Sequence, residues 1–79
     1  MNLSTSQLRE VFATALDIPQ SQVIDALSYN TIPEWDSVGH MALVAAIEDR
    51  FGILLDTNDV LDLSSFAKAE EIVTRYIDS

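Results

Sequence analysis

The sequence predicts an all-α fold, a small four-helix bundle with a long first loop and a short third helix. Three observations carry this. Apolar residues recur at helical spacing in three stretches of the 79-residue chain. Residues suited to capping stand at the head of each stretch. The one stretch with strand-like composition, Ile53-Leu54-Leu55, has no partner strand. A chain of this length forms a single domain, residues 1–79, whose stability comes from helix packing.

The first helix opens with Ser4-Thr5-Ser6-Gln7, a capping box with Ser4 as N-cap and Gln7 at N3. Leu3 and Leu8 then occupy the staple positions. Leu8, Val11, Phe12, Ala15 and Leu16 form one apolar stripe. The helix ends near Leu16, because Pro19 disfavours helix at Ile18. A long connection follows from Asp17 to Asp36. A structureless stretch of that length is unusual in a compact domain and hints at function. Its apolar residues Ile18, Val23, Ile24, Leu27 and Ile32 pin it across the core, and a short helical turn fits Ser21 to Ala26.

The second helix runs from about Ser37 to Phe51 and closes on Gly52. Asp56 or Thr57 caps a third helix of about one turn, Asn58 to Leu61. The fourth begins after Ser64 or Ser65 and reaches about Ile77, with the stripe Phe66, Ala69, Ile72, Val73 and Tyr76.

Composition narrows the function. Thirteen acidic residues face four basic ones, a formal charge of −9. No basic patch is present to release counterions from nucleic acid. Acidity on this scale suits encounter with basic patches on other proteins, or simply solubility as a monomer. There is no cysteine and one histidine, so a disulfide framework, a thiolate metal site and an all-histidine metal cluster are ruled out. No apolar run approaches a membrane span, and Met1-Asn2-Leu3-Ser4 lacks the pattern of a signal peptide. A cytoplasmic location is expected.

The second helix holds more apolar surface than a core needs. Leu43, Val44, Ile47 and Phe51 share one arc of about 100°, a normal core stripe. Val38, Met41 and Ala45 form a second arc, displaced toward Glu48 and Asp49. Either residues 23–32 cover that second arc, or Val38 and Met41 stay exposed beside Ser37 as a partner surface.

Ser37 stands where the polar loop turns into this helix. Backbone N–H groups and the helix dipole there favour an anion such as a phosphate. Serine at a helix start ordinarily serves only as a cap, and spacing alone favours that role for Asp36 or Ser37. Asp36 is also placed to help bind an incoming metal–phosphate group. A hydrolase would need His40 as base, yet there is no Gly-x-Ser-x-Gly elbow and no evident third group. Trp35 precedes the cap and is placed to staple the loop onto His40. No catalytic apparatus emerges, so Ser37 reads as an attachment point and the chain as a non-enzyme.

The stretch from Trp35-Asp36-Ser37-Val38-Gly39-His40-Met41 through Glu48-Asp49-Arg50-Phe51-Gly52-Ile53 resembles the acyl carrier protein family, the phosphopantetheine-attachment domain. That family's motif is Asp-Ser-Leu, followed by an acidic pair and Phe-Gly-Ile. Asp36-Ser37-Val38 matches it with Val for Leu; Glu48-Asp49 and Phe51-Gly52-Ile53 match in place. Length, acidity, helix order and long first loop extend the resemblance over nearly the whole chain. The resemblance implies a free-standing carrier with 4'-phosphopantetheine attached to Ser37, flanked by Asp36, by a phosphopantetheinyl transferase using coenzyme A. It further implies an acyl or aminoacyl thioester on the arm, a loading ligase and acyl-using enzymes as partners. The partner surface would be Val38, Met41, Ala45, Glu48, Asp49, Asp56 and Asp59. Fatty-acid carriers usually place acids just after the serine, where this chain has Gly39, His40 and Ala42. That departure, with Trp35, resembles carriers of specialised pathways: polysaccharide modification, polyketide or peptide assembly, and D-alanyl or other aminoacyl transfer. The competing class is an unmodified acidic interaction module that binds through Val38 and Met41.

Overall fold

The computed structural model describes residues 5–78. Four helices follow in order: α1 Thr5–Leu16, α2 Ser37–Phe51, α3 Thr57–Asp62 and α4 Phe66–Asp78. A 3-10 turn, Gln20–Gln22, lies in the first loop. The described residues contain no strand, only an isolated bridge between Ser28 and Ser65. None of these helices is long and apolar enough to cross a membrane. The expected cap Ser4 and staple residue Leu3 lie outside the described residues.

The helix ends have local causes. Asp17 adopts a left-handed backbone (φ 57°), which places the Ile18 N–H 3.0 Å from the Ala13 carbonyl and turns the chain out of α1. Gly52 (φ 64°) ends α2 in the same way, its N–H reaching the Glu48 carbonyl. Asp36 caps α2, Asp56 caps α3, and the Ser65 hydroxyl accepts from the Lys68 N–H at the head of α4.

One apolar cluster joins α1, α2, α4 and the first loop. Leu8, Phe12, Leu43, Ile47, Phe66, Ile72 and Val73 are all fully enclosed. Trp35 is also fully enclosed, and Phe12 meets both Trp35 and Phe66 edge to face. The first loop is therefore part of the core: Ile18, Val23, Leu27 and Trp35 all face inward. It is also sewn to the head of α4, with Tyr29 N–H donating to the Ser64 carbonyl and Phe66 N–H to the Leu27 carbonyl.

Three expectations need adjustment. Ile24 does not pin the loop; it is exposed, because the turn that buries Val23 and Leu27 throws it outward. The helical turn expected at Ser21–Ala26 is shorter and starts at Gln20. Ala15 is only partly buried, and Ala13, two residues earlier, is the buried alanine of α1. The third helix stands apart from the core, contributing no buried side chain.

Candidate functional site

Ser37 is the first residue of α2 and is exposed. Asp36 adopts the extended backbone of an N-cap, and its Oδ1 accepts from the Gly39 N–H at 2.8 Å. Its carbonyl accepts from the His40 N–H, also at 2.8 Å. Helix geometry leaves the first N–H groups without partners inside the helix. Those of Ser37 and Val38 thus face outward beside the Ser37 hydroxyl, at the positive end of the helix dipole. A phosphodiester at that hydroxyl would lie in a favourable field, within reach of such donors.

The loop is held tightly against this helix start. A Cβ added to Gly39 would collide with the Glu34 carbonyl oxygen and touch Leu16. Asn30 N–H donates to the Trp35 carbonyl, and Trp35 N–H to the Ile32 carbonyl, which closes the segment before Asp36 into a compact turn. Asn30 allows this with a left-handed backbone (φ 69°).

Trp35 reaches His40, as their order suggests. The indole N–H donates to His40 Nδ1 at 3.0 Å, and the two rings lie edge to edge, nearly coplanar, with 15° between their planes. On the far side His40 Nε2 lies 2.9 Å from the Val60 carbonyl. An indole only donates and a carbonyl only accepts, so these partners assign the imidazole proton to Nε2. Tyr29 meets both rings edge to face. Both imidazole nitrogens are therefore committed, and neither is turned to Ser37 as a base.

The second arc of α2 is exposed rather than covered by the loop. Val38 is 78% and Met41 61% exposed, and Ala45 is exposed as well. Leu61 on α3 is 77% exposed. Its exposure was not legible in the sequence, since a one-turn helix is too short to show a stripe. The acids divide into two groups. Asp49 and Asp56 are exposed, although Asp56 also caps α3. Glu48 and Asp59 have work inside the domain. Glu48 Oε2 accepts from the Leu55 N–H at 2.9 Å, fixing the extended Ile53–Leu55 segment. Asp59 accepts from the Tyr76 hydroxyl at 2.5 Å and pairs with Arg75 at 3.4 Å. Asp59 holds the Tyr76 phenol above its ordinary value of 10.0, the Asp56 N–H bond partly offsetting this.

No protein-family model matches the chain, and no curated protein sequence does. Among solved structures, the chain is similar to the holo acyl carrier protein from Geobacter metallireducens, determined by solution NMR. The TM-score is 0.82 at 22% identity, over 94% of this chain and 85% of that one. This is the acyl carrier protein fold. The four helices, the long first loop and the short third helix all belong to it. At that identity the likeness speaks for the fold, and the roles of side chains within the acyl carrier protein fold rest on the geometry above.

Proposed function

We propose that the chain is a carrier protein rather than a catalyst, with 4'-phosphopantetheine attached through the Ser37 hydroxyl. The observation that carries this reading is an exposed serine at the first position of α2, with Asp36 as its cap, on an acyl carrier protein fold. When attached, the arm supplies a thiol that holds an acyl or aminoacyl group as a thioester. The chain's own residues present and orient it. Asp36 fixes the helix start, the Ser37 and Val38 N–H groups would hold the phosphate, and the buried Trp35 makes the platform rigid. A long tether on a rigid platform raises the thiol's effective concentration at successive partner sites.

The partner enzymes would meet Val38, Met41 and Ala45, with Asp49 and Asp56 at the margin. This apolar face supports a dedicated partner and a specialised pathway over general fatty-acid synthesis, because Gly39, His40 and Ala42 leave the start of α2 after Ser37 without steering acids. Glu48 and Asp59 would contribute less, being bonded within the domain.

Intact-mass measurement after incubation with coenzyme A and a broad-specificity phosphopantetheinyl transferase is the test. One added arm on the wild type and none on Ser37→Ala is expected. No gain on the wild type, or an unchanged gain on Ser37→Ala, overturns the reading. An unmodified interaction module would instead bind its partner equally well with Ser37→Ala.

A further inference from the structure

We propose that His40, anchored by Trp35, is a positioning residue that holds α3 beside the Ser37 end of α2 for the enzyme that modifies Ser37. This rests on the reading of Ser37 as the attachment residue. Burial holds α1, α2 and α4 in place; within α3 no side chain is buried, and only Leu63 directly after it anchors its end in the core. Its body is held by polar links on two sides. Toward α4, Asp59 accepts from the Tyr76 hydroxyl. Toward α2, the Val60 carbonyl receives His40 Nε2–H at 2.9 Å.

The α2 link is stiff because of what lies behind it. Trp35 is completely enclosed, and its N–H fixes His40 Nδ1 at 3.0 Å. The nearly coplanar indole and Tyr29, set edge to face against the imidazole, hold its plane. A rigid path thus runs from the core through Trp35 and His40 to the backbone of α3. Met41 follows His40 and Leu61 follows Val60, and both side chains are largely exposed. The bridge therefore sets the spacing between two apolar contacts on separate helices, Met41 one turn after Ser37 on α2 and Leu61 on α3. An enzyme that docks over the helix start meets both in fixed register. A loose α3 would make it order that register on binding, which weakens association without touching the chemical step.

Two substitutions divide the bridge. In His40→Asn the side chain matches only the Nδ1 half and keeps the Trp35 bond. In His40→Gln it reaches the Nε2 position and keeps the Val60 bond. Amide hydrogen exchange on the full unmodified chain reads α3 directly, and α1 amides such as those of Leu8 and Phe12 report whether the domain stays folded. His40→Asn is expected to speed exchange across Thr57–Asp62 about five- to tenfold, the loss of one hydrogen bond, while α1 and His40→Gln stay near wild type. With the broad-specificity transferase and coenzyme A, KM for His40→Asn should rise about fivefold with kcat within about twofold, and His40→Gln should hold the wild-type KM. Unchanged α3 exchange in His40→Asn overturns the proposal, and so does faster exchange with an unchanged KM. A wild type that gains no arm overturns the Ser37 reading instead, and exchange still decides whether His40 holds α3.

Discussion

Gly39 is constrained by its neighbour rather than by its own backbone, which is helical. Alanine is the better helix former by about 1 kcal/mol, so Gly39→Ala would stabilise a free helix. Here the new methyl meets the Glu34 carbonyl, a backbone atom that cannot rotate aside. Forced overpacking of this kind costs about 1–3 kcal/mol, so the clash should win. Denaturant unfolding of Gly39→Ala should give a lower midpoint than wild type; a higher one would mean the loop yields freely. Gly52 poses the opposite case. It has open space around it but a left-handed backbone (φ 64°), and Gly52→Ala should cost about 1–2 kcal/mol through conformation alone. At the residue scale, the small Gly39 beside Ser37 therefore reflects loop packing as well as the absence of a steering acid.

At the scale of elements, α2 has two apolar faces with different fates. Leu43, Val44 and Ile47 are buried, while Val38, Met41 and Ala45 face solvent. Met41→Glu should change stability by less than about 0.5 kcal/mol, as exposed substitutions do, while raising the transferase KM. A collapse in thermal stability would place Met41 in the core after all. The short α3 makes polar links to α2 and α4, and one of them titrates. The Tyr76 phenol is raised above 10.0 by Asp59, so folding favours its protonated form. That contribution is fully present below the ordinary phenol value and is lost as pH rises through the raised one. Stability of the wild type should therefore fall more steeply above pH 10 than that of Tyr76→Phe, by thermal or urea unfolding across an alkaline series. Parallel curves would remove the Tyr76–Asp59 bond from the account of α3. Periodicity placed α1, α2 and α4 almost to the residue, since capping residues and stripes act locally. It could not assign Asp59 and Glu48 inward, because their partners Tyr76 and Leu55 lie far off or in a loop without period.

Across the whole molecule, the sequence's least legible feature was how the first loop enters the core. Trp35 looked like a staple beside a cap, yet it is a central core residue, and only three-dimensional packing of Phe12 and Phe66 around the loop makes it so. The exposure of Ser37 follows from the same arrangement, because the loop anchors at Trp35 and releases the chain immediately afterwards. Charge also acts at this scale. All four basic residues are engaged inside the domain. Arg9 donates to the Val23 carbonyl and lies over the Phe66 ring, while Arg50, Lys68 and Arg75 pair with acids. The formal charge of −9 is thus spread over a surface with little local compensation. Salt has two opposing effects here. It weakens ion pairs that are each worth about 0–1 kcal/mol, and it screens repulsion among the surplus acids. The acids outnumber the pairs, and the Arg9 contacts are insensitive to screening, so relief of repulsion should prevail. Moving from roughly 0.01 M to 0.15 M salt shortens the screening length from about 30 Å to about 8 Å. A net gain of about 1 kcal/mol would raise Tm by roughly 4–8 °C in a domain of this size, which calorimetry in sodium chloride resolves easily. A fall in Tm over that range would mean that the surface ion pairs, and not the acidic excess, govern the electrostatics of the fold.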